Sequence, residues 1–215
     1  MKPDLILSLI KAPTTEGLML RLTLLSLFVL LLLALIPGSK EPLFLLLNSA
    51  LVFSGSEPFW SGITLFADTW LTLGLMLPVV LLKPRMAAVL FYAALIATLI
   101  THSIKPLLDL PRPPAVLAEG SFNLIGSSIS SKSFPSGHTV SAFVFAGLLL
   151  YAFALRGWLA ALVIGFAAIM GLSRLAVGVH WPADIVAGAM IGLMCVLMTV
   201  WIIKRYPKLT SGRAC

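Results

Sequence analysis

Charged side chains are scarce in this sequence, in which Asp, Glu, Lys and Arg together make up 11% of 215 residues. Soluble domains usually carry about 25% charged residues. Hydrophobic residues make up 60%, and the mean hydropathy is +1.06. This imbalance excludes an ordinary soluble domain and indicates that the folded chain is surrounded by a lipid bilayer.

Cysteine is also scarce. The two cysteines, Cys195 and Cys215, form no disulfide framework. The formal net charge is +7, but no basic helix face interleaved with aromatic residues occurs, so we expect no nucleic acid partner. No spacing of histidines or cysteines is typical of a zinc site. We therefore expect neither a metal nor another cofactor, and activity in the presence of EDTA.

Long apolar runs dominate the chain. A helix that crosses a ~30 Å hydrocarbon core needs about 20 apolar residues. Six stretches qualify, at 18–36, 58–82, 86–104, 138–155, 157–176 and 183–203. The apolar segment from Leu43 to Phe53 is shorter and contains Asn48 and Ser49, which favours an interfacial helix or a re-entrant piece. The prediction is an all-α, six-span transmembrane bundle with a short interfacial helix after the first span, forming one domain over 1–215.

The N-terminus superficially resembles a signal peptide, because basic residues precede an apolar stretch. The stretch from Leu22 to Ile36 is followed by Pro37-Gly38-Ser39-Lys40, without an obvious cleavage site between small residues. We therefore expect a retained first span.

The distribution of Lys and Arg predicts the orientation of the spans. With six spans both termini lie on one side, which would hold Lys2, Lys11, Arg21, Lys83, Arg85, Arg156, Lys204, Arg205, Lys208 and Arg213. Fewer basic residues fall on the other side: Lys40, Lys105, Arg112, Lys132 and Arg174. We expect a multi-pass protein of the cell (inner) membrane with both termini in the cytoplasm. The polar loop 105–137 would then face the periplasm or exterior.

Polar residues at the outer ends of the spans form three clusters. They are Lys105-Pro-Leu-Leu-Asp-Leu-Pro-Arg112-Pro113, Ser133-Phe-Pro-Ser-Gly-His138 and Ser173-Arg174-Leu-Ala-Val-Gly-Val-His180-Trp-Pro-Ala-Asp184. Taken alone, each has an ordinary explanation, such as a cation at the membrane interface or a simple turn. Ionisable residues are costly near a bilayer, however, and all three clusters fall on the same predicted side. They could therefore share one pocket.

The combined clusters suit phosphoryl transfer. Fixed cations and free backbone N–H groups at a helix N-terminus would stabilise charge on phosphate oxygens. Two histidines allow one nucleophile and one acid, and a carboxylate bonded to the nucleophile would fix its tautomer. Asp184, four residues after His180, is placed for that role.

The three clusters resemble the signature of the type 2 phosphatidic acid phosphatase superfamily. K-x6-R-P is met by Lys105, Arg112 and Pro113, P-S-G-H by residues 135–138, and S-R-x5-H-x3-D by Ser173, Arg174, His180 and Asp184. Every fixed position matches. The signature region covers 105–184, whereas the first hundred residues match only in their hydrophobic layout.

The resemblance implies roles for these residues. His180 would be the nucleophile, Asp184 its partner and His138 the general acid. The phosphate oxygens would be bound by Lys105, Arg112, Ser136, Arg174 and the backbone at Gly137. The resemblance also implies metal-independent hydrolysis of a lipid phosphate monoester or diphosphate, through a phosphohistidine, at the outer membrane face.

Three other polar residues lie near these clusters. His102 precedes Lys105 by one helical turn, and we expect a structural or interfacial role for it. Asp68 lies within the second predicted span, where it would pair with a cation or shape head-group selection, structural pairing being the favoured reading. Asp109 would repel phosphate, so we expect it to face water or an arginine.

Three other functions compete with hydrolysis. A phosphotransferase would pass the phosphoryl group to a second lipid instead of to water. A vanadium haloperoxidase would share the anion pocket, but those relatives are soluble and larger, so we expect no halide oxidation. A binding or transport protein would need cations but no His-His-Asp set. For a phosphatase, phosphatidylglycerol phosphate, phosphatidic acid, undecaprenyl diphosphate and a lipid A phosphate all fit the motifs.

Overall fold

The computed structural model describes residues 14–207 except Pro37 and Ser39, so Lys2, Lys11, Lys208, Arg213 and Cys215 lie outside the described residues. The described part contains helices and no strands, which confirms the predicted all-α class. The helices are α1 (Thr15–Leu35), α2 (Lys40–Leu51), α3 (Glu57–Phe66), α4 (Thr69–Leu75), α5 (Leu77–Leu82), α6 (Met86–Leu108), α7 (Pro113–Val116), α8 (Gly137–Phe153), α9 (Gly157–Ala176) and α10 (Pro182–Arg205).

Five of the predicted spans coincide with single helices, namely α1, α6, α8, α9 and α10. Their ends follow local signals in the sequence. The Thr14 side chain caps α1 by accepting a hydrogen bond from the Gly17 N–H. Pro182 is the first residue of α10, as predicted, because its missing N–H and fixed φ suit that position.

The second predicted span, at 58–82, is not a single straight helix. Helix α3 ends at Phe66, and the segment from Thr69 to Leu82 is bent from it by 63°. The cause is Asp68, whose carboxylate accepts hydrogen bonds from the N–H groups of Trp70 and Leu71 and so starts a new helix. The carboxylate that looked costly in the middle of a span is therefore the N-cap of α4.

Within the described residues, four helical segments are long and apolar enough to cross a membrane, and a fifth is added if the bent pair counts as one span. The four are Thr15–Leu35, Met86–Val116, Gly157–Ala176 and Pro182–Arg205. Helix α8 is equally apolar but has 17 residues. Many large apolar side chains on the outside of the helices are exposed, which suits a lipid environment.

Helices α8 and α10 form the centre of the bundle and pack closely against each other. Gly188 and Gly192, spaced four residues apart on α10, allow this approach. A Cβ atom at Gly192 would lie 2.7 Å from the carbonyl oxygen of Val140 and 2.8 Å from Cβ of Phe143. This contact fixes how the beginnings of α8 and α10 lie beside each other.

Replacement of Gly192 by alanine tests this packing. We expect Gly192→Ala to lower the thermal unfolding temperature in detergent, because the added methyl group overlaps backbone of α8 and overpacking costs about 1–3 kcal/mol. Gly165→Ala on α9 is the matched control, since a Cβ there meets nothing within 4 Å. Equal unfolding temperatures for the two variants would contradict the close contact.

Candidate active site

The three polar clusters meet at one end of the bundle. They lie at the end of α6, the beginning of α8, and the loop between α9 and α10. Lys105 lies within electrostatic range of Arg112, Arg174 and Asp184. His138 lies within the same range of Arg112, Arg174 and His180. The structure thus brings together side chains that are up to 79 residues apart in the sequence, from Lys105 to Asp184.

His180 and Asp184 form a buried hydrogen-bonded pair. The distance from His180 Nδ1 to Asp184 Oδ2 is 3.2 Å, and the two residues are 2% and 3% exposed. The same carboxylate oxygen accepts hydrogen bonds from the Ser133 hydroxyl and from the backbone N–H of Trp181. Asp184 therefore holds the imidazole and also ties the segment before α8 to the start of α10.

The contact on the other side of the imidazole fixes its tautomer. His180 Nε2 lies 3.2 Å from Nη1 of Arg112. A guanidinium has only donors, so Nε2 must be the acceptor in this contact. In the neutral ring the proton then lies on Nδ1, which donates to Asp184. Nε2 keeps its lone pair and faces the cations.

Burial keeps this imidazole neutral. The pKa of His180 is lowered from its ordinary value of 6.5 to about 4, chiefly by desolvation and to a smaller extent by the nearby guanidinium groups. The hydrogen bond to Asp184 and its charge raise the pKa and partly offset this effect. At neutral pH the ring is therefore neutral, and its Nε2 lone pair accepts the hydrogen bond from Arg112.

The backbone carbonyl of Lys132 accepts hydrogen bonds from two of the cations. It accepts a hydrogen bond from Lys105 Nζ at 3.0 Å and one from Arg112 Nη2 at 3.4 Å. Arg112 also donates to the carbonyls of Ser131 and Val179. Lys132 has a φ of +55°, a conformation rare outside glycine, which turns this carbonyl toward the site.

Arg174 reaches the same region from the end of α9. Its Nη1 donates to the hydroxyl of Thr64 on α3, so the bent helix pair contributes to the site. Its Nε is buried and has no hydrogen-bond partner among the described residues. A buried donor of a cation without a partner is costly and suits an anion that would bind there.

Ser136, Gly137 and His138 form the beginning of α8. The Ser136 hydroxyl caps the helix and contacts Thr139, and the Ser136 N–H donates to the carbonyl of Asp184 at 3.1 Å. Gly137 and His138 are the first residues of the helix, where backbone N–H groups point outward. His138 is half-buried at this position.

Helix α2 supports the site from one side. Phe44 packs edge-on against Trp181, with ring centroids 5.3 Å apart, and the Trp181 indole donates to the carbonyl of Pro111. Asn48 is buried and its amide donates to the carbonyls of Asn123, Leu175 and Ala176. It therefore joins the long loop to the end of α9. In the sequence, Asn48 was only a polar interruption of an apolar segment.

Sequence reasoning missed the parts played by Thr64, Ser133 and Asn48. Ser133 was named as the first residue of the second cluster, but no role was predicted for it, and its bond to Asp184 depends on how the segment before α8 meets the start of α10. Thr64 gave no signal, because a threonine inside an apolar helix has no distinguishing pattern. Its contact with Arg174 depends on how α3 packs against α9.

The structure also shows the positions of the three other polar residues considered in the sequence: Asp109, Asp68 and His102. Asp109 is exposed, as expected, and ends α6 in a left-handed conformation. Asp68 caps α4 and lies within electrostatic range of His138. His102 is exposed on the same helix as Lys105. In the part of the chain that the structure describes, no three His, Cys, Asp or Glu side chains are grouped to hold a metal ion.

Comparisons with known sequences agree with the motifs. The family model described as the PAP2 superfamily matches residues 86–208, more than half of the chain, which confirms the predicted resemblance. The chain is 44% identical over 70 residues to the bacitracin transport permease protein BcrC of Bacillus licheniformis, covering 32% of each chain. It is 32% identical over 122 residues to a lipid A 1-phosphatase of Rhizobium johnstonii, covering 55% of this chain and 48% of that one. The matched region spans about half or less of these curated relatives.

The fold is also similar to solved structures. The crystal structure of Aquifex aeolicus LpxE is 27% identical with a TM-score of 0.69, covering 76% of this chain and 96% of that chain. A PAP2 type phosphatidylglycerolphosphate phosphatase from Bacillus subtilis is 19% identical with a TM-score of 0.60, covering 92% and 98%. The second similarity is one of fold alone.

The protonation state of His180 can be measured directly. We expect its imidazole ¹⁵N resonances, assigned by their loss in His180→Asn, to titrate near pH 4 and to show the proton on Nδ1 at neutral pH. Because Asp184 raises the pKa, Asp184→Asn should move the titration to still lower pH. A midpoint at or above 6.5 in the wild type would contradict this assignment.

Proposed function

Since the chain belongs to the PAP2 superfamily, we propose that it removes phosphate from a membrane lipid by way of a phosphohistidine at His180. The family membership and the apolar helices make the chain a multi-pass membrane protein. The observation that carries the mechanism is the position of His180 Nε2. This neutral acceptor lies 3.2 Å from a guanidinium, and the other ring nitrogen, Nδ1, is hydrogen-bonded to Asp184.

In the first step, His180 Nε2 attacks phosphorus and the bond from phosphorus to the lipid oxygen breaks. His138, which is protonated when the phosphate dianion binds beside it, gives this proton to the departing oxygen, so the lipid leaves as a neutral alcohol, or as a lipid monophosphate if the substrate is a diphosphate. The Nδ1–H of His180 stays bonded to Asp184, whose negative charge stabilises the positive charge that develops on the ring. The product is phosphohistidine.

In the second step, water attacks the phosphorus and the bond from phosphorus to Nε2 breaks. His138, now neutral, accepts a proton from the water, which returns both histidines to their starting states. Inorganic phosphate leaves. In both steps Lys105, Arg112 and Arg174 neutralise the charge on the phosphate oxygens, together with Ser136 and the backbone N–H at Gly137. The unpartnered Nε of Arg174 supports this role.

We also propose that the chain crosses the membrane six times, with α3 to α5 acting as one bent span and α8 as the fourth span. Helix α2 would lie at the outer interface beside the site. The basic residues support the orientation. Lys83 donates to the carbonyl of Ala152 at the far end of α8 from the site, and Lys204 at the end of α10 pairs with Glu16. This end would face the cytoplasm.

Hydrolysis through His180 is tested by phosphate release from detergent-solubilised lipid substrates. We expect the wild type to release inorganic phosphate, with or without EDTA, and His180→Ala to release none, because the nucleophile is removed. Brief incubation with lipid labelled on phosphorus should label the wild type at a histidine and leave His180→Ala unlabelled.

The control variant is Arg156→Gln, which changes a cation at the opposite end of α9 from Arg174 and should keep full activity. Thermal unfolding of each variant shows whether it is folded. Phosphate release by folded His180→Ala would overturn the mechanism. If the label appears on a second lipid and no free phosphate forms, the chain is a phosphotransferase.

A further inference from the structure

Arg174 depends on one side-chain contact for its position in the candidate site. Its Nη1 donates to the Thr64 hydroxyl, and its side chain makes no other hydrogen bond to a described residue. The guanidinium of Arg112, by contrast, donates to three backbone carbonyls and contacts His180 Nε2. Loss of any one of these partners would leave Arg112 held by the others. The orientation of the Arg174 guanidinium therefore depends on a single hydroxyl group.

Helix α3, which carries Thr64, packs against α9 on both sides of this residue. Trp60, one helical turn before Thr64, is 7% exposed and packs with Ala176 and with valines of the loop that follows α9. Phe66, two residues after Thr64, lies edge-on to Phe166 of α9, with ring centroids 6.0 Å apart. These two contacts fix the height of the Thr64 hydroxyl relative to the last turn of α9.

Other cations lie near the Arg174 guanidinium. Arg174 is 8% exposed and lies within electrostatic range of Lys105 and Arg112. Because an arginine side chain is long and flexible, repulsion from these cations favours conformations in which the guanidinium turns away from them. A hydrogen bond from a charged donor is stronger than one between neutral groups, above all where water is excluded. The bond to Thr64 therefore opposes this repulsion and keeps the guanidinium in place.

We propose that Thr64 is a positioning residue, whose hydroxyl holds the Arg174 guanidinium in the orientation that stabilises the phosphoryl oxygens. The inference rests on the proposed phosphatase function, in which Arg174 neutralises charge on those oxygens. A cation that is already in place needs no reorganisation when the phosphoryl group is transferred, so Thr64 contributes to kcat/KM through Arg174. Helix α3 is then part of the catalytic apparatus, although it lies outside the signature region 105–184.

Two measurements in detergent test this role of Thr64. The first is kcat/KM for phosphate release from whichever of the four candidate lipids the wild type hydrolyses fastest. The second is inhibition by orthovanadate, which takes the geometry of phosphorus during transfer and has no lipid tail. We expect Thr64→Val to lower kcat/KM and to raise the vanadate inhibition constant, each about tenfold or more, as for one lost hydrogen bond to a charged group. Parallel changes place the effect at the phosphate.

Three variants control for structure. Thr64→Ser keeps the hydroxyl and should restore both values to near those of the wild type. Thr64→Ala also removes the hydroxyl but adds no methyl group beside the guanidinium, so it should show the loss even if Thr64→Val does not fold. Thr199→Val removes a buried hydroxyl that donates within α10 and should leave both values unchanged.

A double-mutant cycle shows whether Thr64 acts through Arg174. Arg174→Lys keeps the charge but lacks the Nη1 donor. In this background Thr64→Val should change kcat/KM by about twofold or less, because the group that Thr64 holds is gone.

The outcomes separate the inference from the proposed function. If the wild type releases phosphate and Thr64→Val and Thr64→Ala behave like Thr199→Val, the inference is wrong although hydrolysis stands. It is also wrong if Thr64→Val loses as much activity in the Arg174→Lys background as in the wild type. If the wild type releases phosphate from none of the four lipids, the proposed function itself fails.

Discussion

The hydrogen bonds of the Asp184 carboxylate hold the polar end of this bundle together. One oxygen accepts from His180, from Ser133 and from the backbone of Trp181, and the Asp184 carbonyl accepts from Ser136. Because all of these groups are buried or nearly so, loss of the carboxylate would leave several donors without partners, at about 1–3 kcal/mol for each. The same contacts that stabilise the loop before α8 also orient the imidazole. Stability and chemistry therefore depend on one buried side chain.

The cations around that pair explain why the site is suited to an anion. Lys105, Arg112 and Arg174 lie within electrostatic range of one another, and Asp184 is the carboxylate that balances part of their charge. Backbone carbonyls satisfy Lys105 and much of Arg112, which reduces the cost of burial. Arg174 keeps an unpartnered donor. A phosphate ester would satisfy it and reduce the repulsion among the cations, which is the physical basis of the proposed binding.

The break in the second predicted span allows it to contact both the candidate site and a neighbouring cavity. Because Asp68 starts a new helix, α3 and α4 diverge by 63° in the segment around it. Helix α3 brings Thr64 to Arg174, while α4 forms one wall of this cavity, which lies between α4, α6 and α8. A straight helix over 58–82 could not both contact Arg174 through Thr64 and line the cavity, because its two halves would share one axis. The bend thus lets one segment contact both the residues proposed to bind phosphate and the cavity beside them.

The sequence by itself determined the all-α class, the positions of five long helices and the family, because apolar runs and motif spacing are local properties of the chain. It also singled out Lys105, Arg112, His138, Arg174, His180 and Asp184 as candidates, since ionisable side chains near a bilayer are costly, and the structure brings them to one end of the bundle. The tertiary structure decided what depends on packing between distant segments. The contact of Thr64 with Arg174 and the anchoring of the long loop by Asn48 both arise between elements. The tautomer of His180 likewise follows only once Arg112, 68 residues away in the chain, is found beside its second nitrogen.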